Sequence, residues 1–244
     1  MGRKLMCVVA HPDDECVAFG GALALAAERG VETSVVCLTD GQAATYRGDS
    51  KSALELGAIR RAEFAESCRL LGVSQQELLE YQDAQLEFES LSELAGKLVQ
   101  RMRTFKPQVV VTFGCDGGLN THPDHMAVSA ATTAAFHWAG QTKRFREQGE
   151  VYQPQRLFHA STGYFLPDRQ PPLPAPWSLV LDVRSVFDRK VEAFQAHASQ
   201  APLMEKVGDI WKQHGLTELY TLMATVSPQP ARQSTDMFEG VMED

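Results

Sequence analysis

The chain lacks most of what would place it on a nucleic acid, in a membrane or outside the cell. Basic residues are in the minority, 23 Lys and Arg against 31 Asp and Glu, for a formal net charge of −8. That leaves no electrostatic footprint for nucleic acid or an anionic membrane. No apolar run approaches the roughly 20 residues of a membrane span, and the start of the chain, Met1-Gly2-Arg3-Lys4 and a short apolar run, reads as a first strand rather than a signal peptide. Cysteine is scarce: Cys7, Cys16, Cys37, Cys68 and Cys115 form no Cys-x-x-Cys pair, and their odd number argues against a complete disulfide framework. Cys7 and Cys37 read as buried strand residues, whereas Cys16 and Cys115 lie near clusters of polar residues. The expectation is a cytoplasmic protein that works on small molecules.

A chain of 244 residues suffices for one large domain with a substantial core. Strand-like and helix-like segments alternate through the first half, the pattern of a parallel sheet with helices on both faces. Residues 5–10, 33–38, 78–81 and 109–113 read as strands; residues 19–29, 58–71, 91–104 and 123–138 read as helices. Beyond residue 140 the pattern loosens. Residues 156–162 and 179–183 are strand-like, and 186–198 read as a helix carrying Lys190 and His197. Segments 203–214 and 217–225 precede a polar tail from Ser227, and the proline-rich stretch 167–176 cannot be helical. The fold class is therefore α/β, a mostly parallel sheet with helices on both faces, read as one domain over 1–244.

What the chain does have is two clusters of metal-ligand residue types. His11-Pro12-Asp13-Asp14-Glu15 ends the first apolar run, and His122-Pro123-Asp124-His125 follows more than a hundred residues later. If each residue type fills roughly one position in twenty, the first cluster alone arises by chance in about one chain in ten thousand of this length. Neutral imidazole and carboxylate are good ligands for first-row metals, and a hydrolytic zinc takes three protein ligands and keeps a position open. Pro12 favours an extended His11, so the turn can fold Asp14 back beside it while Asp13 points elsewhere. Pro123 suits the first turn of a helix, and His125, three positions after His122, shares its face. One of these histidines can bind metal while the other faces substrate. His11, Asp40 and residues 114–125 all fall just past the carboxyl ends of strands, where open α/β sheets bind ligands.

These residues resemble the zinc-dependent de-N-acetylases of the PIG-L/LmbE family, through Ala10 to Glu15 and His122 to His125. Thr39-Asp40-Gly41, Arg60-Arg61-x-Glu63 leading to Leu71-Gly72, and His197-x-Ser199-Gln200 extend the similarity over most of the chain. One departure is Gln42, where many relatives carry Glu. The resemblance implies a Rossmann-like fold whose first part (1–140) is followed by a smaller C-terminal part (141–244) that completes the substrate site. It also implies that His11, Asp14 and His125 hold Zn2+, with Fe2+ or another divalent ion as a substitute, and that Asp13 is the general base. It makes His122 the stabiliser of the tetrahedral oxyanion and gives Asp124 an imidazole to hydrogen-bond, that of His122. Arg60, Arg61 and His197 are placed near the substrate, and Glu15 is left as a structural carboxylate. The implied activity is hydrolysis of the N-acetyl group of an N-acetylglucosamine-containing conjugate, a small-molecule partner, with homo-oligomerisation left open. The remaining histidines, His137, His159 and His214, read as structural.

Two other readings stand beside this one. A phosphoesterase, or an amidase of another small molecule, would keep the metal and change the bond, and paired metals usually serve phosphoryl transfer. A nucleotide-binding module is disfavoured because no Gly-x-Gly-x-x-Gly follows the first strand, where Gly20-Gly21 stands alone.

Overall fold

The computed structural model describes residues 2–118, 120–162, 175–227 and 232–242. Most of the proline-rich stretch 167–176 lies outside them. Five parallel strands form the centre: β1 (Lys4–Val9), β2 (Glu32–Thr39), β3 (Gln75–Tyr81), β4 (Val109–Thr112) and β5 (Arg156–Ser161). They are joined by β6 (Leu179–Asp182) and by β7 (Thr217–Thr225), which runs antiparallel between β5 and β6. The order is β3-β2-β1-β4-β5-β7-β6. The sheet is thus mostly parallel, as the alternating pattern implied.

Strands covered on both faces must be apolar throughout. Every residue of β4 is buried, and so is every residue of β1 after Lys4. Each large apolar side chain placed there contributes about 1.5–3 kcal/mol. The edge strand β3 has no such constraint. It starts at Gln75, three residues before the apolar signal, because Gln75, Gln76 and Glu77 gain their place by pairing with Ser34, Val35 and Val36 rather than by burial.

The helices are α1 (Asp14–Val17), α2 (Gly20–Glu28), α3 (Ala53–Leu71), α4 (Leu91–Phe105), α5 (Pro123–Ala139), α6 (Phe187–Gln195) and α7 (Ala201–His214). Parallel connections are right-handed. The steps from β1 to β2 and from β2 to β3 therefore put α2 and α3 on one face, joined there by α6, and the return to β4 and the step on to β5 put α4 and α5 on the other. The direction of winding reverses between β1 and β4, which opens the crevice where such sheets bind ligands.

Two helix boundaries differ from the sequence reading. α3 begins at Ala53 rather than 58, because Ser52 Oγ accepts the Glu55 N–H (3.1 Å) and Glu55 accepts the Lys51 N–H (2.8 Å). A cap of this kind contributes about 1 kcal/mol. α6 ends at Gln195, so His197 lies past it, in the turn before α7.

The C-terminal strand locks the two halves together through one buried carboxylate. Glu218 of β7 accepts the N–H groups of Gly21 (2.7 Å) and Ala22 (2.9 Å) at the start of α2. It also accepts from Lys190 Nζ (2.6 Å) and the Tyr220 hydroxyl (2.8 Å). Four donors on one carboxylate compensate for its burial. Gly21 is required here, since a Cβ would overlap Val183.

Candidate metal centre and catalytic site

The turn after β1 brings consecutive residues to different tasks. Asp14 folds back onto His11, its Oδ2 accepting the His11 N–H at 2.8 Å. Asp13 adopts φ 111°, ψ −27°, a left-handed conformation that costs a non-glycine residue about 1–3 kcal/mol. Its backbone N–H donates to Glu15 Oε2 (2.9 Å), and its carbonyl accepts from Val17 N (2.9 Å) and Cys16 Sγ (3.0 Å). Asp13 and Asp14 thus offer their carboxylates to different partners, Arg60 for Asp13 and the His11 and His125 rings for Asp14.

The second cluster enters on α5. His122 is the N-cap, its Nδ1 accepting the Asp124 N–H at 3.1 Å, and Pro123 takes the first turn. His125 stacks on Phe113, centroids 3.9 Å apart, and its Nδ1–H donates to Gly117 O at 3.0 Å. The two clusters meet as His11, Asp14 and His125, all buried, with their ligand atoms within 4.8 Å of one another.

Proton placement shows what this triad suits. The far nitrogen of each imidazole faces an oxygen acceptor: His125 Nδ1 faces Gly117 O, and His11 Nε2 faces Asp83 (3.0 Å) and Asp124 (3.2 Å). The near nitrogens, His11 Nδ1 and His125 Nε2, therefore point their lone pairs at each other across 3.3 Å. Asp14 adds its oxygens, Oδ1 3.2 Å from His125 Nε2 and Oδ2 3.4 Å from His11 Nδ1. Three converging donors of this type fit a divalent first-row cation. Burial opposes a charged His11, yet Asp124, Asp14 and Asp83 hold its pKa well above the usual range, so a proton and a dication compete for the same Nδ1 lone pair. Burial likewise opposes a charged Asp14, whose pKa is held well below the usual range by His125 and His11. The site gathers negative charge that a dication would neutralise.

Asp124 hydrogen-bonds an imidazole, but that of His11 and not that of His122. Its carboxylate also accepts from Ala84 N (2.8 Å) and Leu86 N (3.1 Å), which turns it toward the segment after β3. His122 accepts the Asp124 backbone N–H on Nδ1, so the neutral ring carries its proton on Nε2. Burial, and after it the neighbouring His11 and His125, lowers its pKa below the usual imidazole value. Its ring lies 4.7 Å from that of His11, centroid to centroid.

The residues expected near substrate occupy three different settings. Arg60, 3% exposed, donates to Asp13 Oδ2 (2.8 Å), to Gly41 O (3.0 Å) and to Pro12 O. Arg61 is exposed and pairs with Asp40 at 3.1 Å. His197 is buried, with Nε2 on Glu15 Oε1 at 2.8 Å. Burial raises the Asp13 carboxyl to about 6 against the pull of Arg60. Gly41, at φ 66°, leaves room for Arg60 that a Cβ would take.

Reading the sequence did not single out Asp83, which holds His11 while accepting the Ala43 N–H at 2.9 Å. Its one signal is position, just past the carboxyl end of β3. The motif residues on α3 each clasp a different segment: Arg60 takes Asp13, Arg61 takes Asp40, and Glu63 accepts Ser199 N and Oγ, both at 2.7 Å. Cys16 is buried, and burial pushes its thiol well above the ordinary range. Cys115 is exposed.

Known proteins resemble this chain in sequence and fold. The mycothiol S-conjugate amidase of Streptomyces coelicolor is 30% identical over 233 residues, an alignment covering 83% of this chain and 78% of the relative. The 1D-myo-inositol 2-acetamido-2-deoxy-alpha-D-glucopyranoside deacetylase of Rhodococcus jostii is 30% identical over 240 residues, covering 81% and 82%. The N,N'-diacetylchitobiose deacetylase of Pyrococcus horikoshii has the same fold, with a TM-score of 0.74 over 91% of this chain and 84% of that one at 24% identity. The family model described as GlcNAc-PI de-N-acetylase matches residues 6–136, from β1 through most of α5, and the chain belongs to this PIG-L family.

Proposed function

We infer that this protein is a metal-dependent hydrolase that removes the N-acetyl group from an N-acetylglucosamine-containing conjugate. The observation that carries the reading is the convergence of His11, Asp14 and His125 beside a separately held carboxylate, Asp13. We assign the metal as Zn2+, with Fe2+ as a functional substitute, on the strength of a two-nitrogen, one-carboxylate donor set. When bound, such an ion polarises an acyl carbonyl and makes water nucleophilic near neutral pH.

The chain's own residues supply the rest. Asp13 removes the proton from the attacking water and returns it to the departing amine, a task suited to a carboxyl whose pKa lies near 6. His122 donates from Nε2–H to the oxyanion of the tetrahedral species, and a donor of this kind is worth about a hundredfold or more in rate. Asp124 and Asp83 fix the ring of His11. Arg60 orients Asp13, while exposed Arg61 is the member of the pair available to the conjugate. The substrates carried by the two relatives, an acetamido-glucosyl inositol and a mycothiol S-conjugate, define the class to screen. We place the enzyme in the cytoplasm, a location supported by its free cysteines.

The experiment is acetate release, measured with zinc-loaded protein against a panel of N-acetylglucosamine conjugates. Turnover of at least one, lost in His11→Ala together with bound metal, is the expected result. Two metals per chain, with phosphate-ester cleavage and no acetate released, would replace this reading by the phosphoesterase one.

A further inference from the structure

Asp13 is the most strained residue of the site, and the strain is held in place by a carboxylate that the reaction itself does not use. Glu15 is completely buried in a helix of four residues, too short to need a charge at that place. A buried carboxylate is hard to sustain without full pairing. Here the pairing is complete. Oε2 accepts the backbone N–H of Asp13 at 2.9 Å, and Oε1 accepts Ser67 Oγ at 2.5 Å and His197 Nε2 at 2.8 Å. Ser67 belongs to α3 and His197 to the turn after α6, so segments remote in sequence converge on one side chain.

We propose that Glu15, clamped by His197 and Ser67, is a positioning residue that locks the left-handed backbone of Asp13 and thereby fixes where the Asp13 carboxylate stands beside the metal triad. Arg60 and Glu15 divide the labour: Arg60 holds a carboxylate oxygen of Asp13, and Glu15 holds its N–H. Three donors converge on the two oxygens of Glu15. An amide in its place has one oxygen and one NH2 group, so it keeps this arrangement only if Ser67 accepts instead of donating and His197 moves its proton to Nδ1, a buried atom with no partner among the described residues. A carboxylate accepts from all three as they stand. His197 is thereby assigned to this clamp, through Glu15, and not to contact with the conjugate. The inference rests on the role of Asp13 proposed above.

The test is a double-mutant cycle on the zinc-loaded protein. Misplacing a reacting group by about 1 Å costs up to roughly a hundredfold, so Glu15→Gln is expected to lower kcat about ten- to a hundredfold. KM and metal stoichiometry stay at the wild-type values. In an Asp13→Ala background the same change costs nothing further, because Glu15 acts through Asp13. His197→Gln, which keeps a donor toward Glu15, retains more activity than His197→Leu. Ser67→Ala gives the same pattern at smaller size, should Glu15→Gln not fold. The proposal is overturned by any of four results: unchanged kcat in Glu15→Gln with metal bound, an equal loss in the Asp13→Ala background, activity falling only in step with bound metal, or unchanged amide exchange at Asp13. Amide exchange at Asp13, faster in Glu15→Gln than in wild type, needs no substrate. Absence of acetate release by the wild type would sink the deacetylase reading alone, and unchanged Asp13 exchange would sink this one.

Discussion

Replacing Asp13 by Asn separates the chemistry of the site from its architecture. The side chain keeps its size and one oxygen, so it can still accept from Arg60, whose guanidinium is 3% exposed. It loses the charge and the ability to take a proton. Removing a general base costs about 10²–10⁴ in rate, or roughly 3–5.5 kcal/mol of barrier at about 1.4 kcal/mol per factor of ten. Stability changes for a different reason. A hydrogen bond to a charged group contributes about 1.5–3 kcal/mol, and weakening rather than deleting it should cost about 1–2 kcal/mol. In a chain of this size that lowers Tm by about 2–8 °C. Metal content should not change, because Asp13 is outside the triad of His11, Asp14 and His125. The assay is kcat for acetate release from metal-quantified protein, beside a thermal melt. A variant with full metal and more than a tenth of wild-type kcat refutes Asp13 as the base.

Four further outcomes follow from named contacts. Zinc added to metal-free protein should raise Tm in proportion to the logarithm of its concentration, and His125→Ala should abolish that response. Glu218→Leu strands Lys190 in the interior and uncaps α2, which should cost about 3–5 kcal/mol in urea unfolding. Gly41→Ala crowds Arg60 at a backbone position of positive φ; kcat should fall while bound metal is retained, and an unchanged kcat contradicts the Arg60–Asp13 link. His159 is buried, and burial lowers its pKa to about 4. Its folded state resists a proton that the unfolded chain accepts below about 6.5. Stability should therefore decline as pH falls from about 6.5 to about 4, by up to about 3 kcal/mol, and then level off. His159→Gln should flatten that decline in urea midpoints measured across this range.

The central strands were legible because burial on both faces leaves an unmistakable apolar run in β1, β2 and β4. The triad residues were legible because their types and spacing are rare. The start of β3 was not, since an edge strand is recruited by backbone pairing and its side chains carry no signal. The partner of Asp124 was misread for a related reason: its backbone N–H reaches His122 next to it, but its carboxylate is claimed by the segment after β3 and by His11. Asp83 is a lone carboxylate whose role exists only because β3 ends beside β2.

The sequence by itself determined the local facts: a proline-directed turn after the first strand, a helix opened by Pro123 after the fourth, and a set of ligands too dense for chance. Those follow from side-chain chemistry and nearest-neighbour sterics, which a linear string carries. Which carboxylate points at the metal triad and which supports the backbone behind it was decided only by the tertiary structure. Asp13, Asp14 and Glu15 are consecutive and chemically alike. They differ because Arg60 and Ser67 on α3, His125 on α5 and His197 beyond α6 reach them from separate directions, and no spacing within the chain encodes those directions.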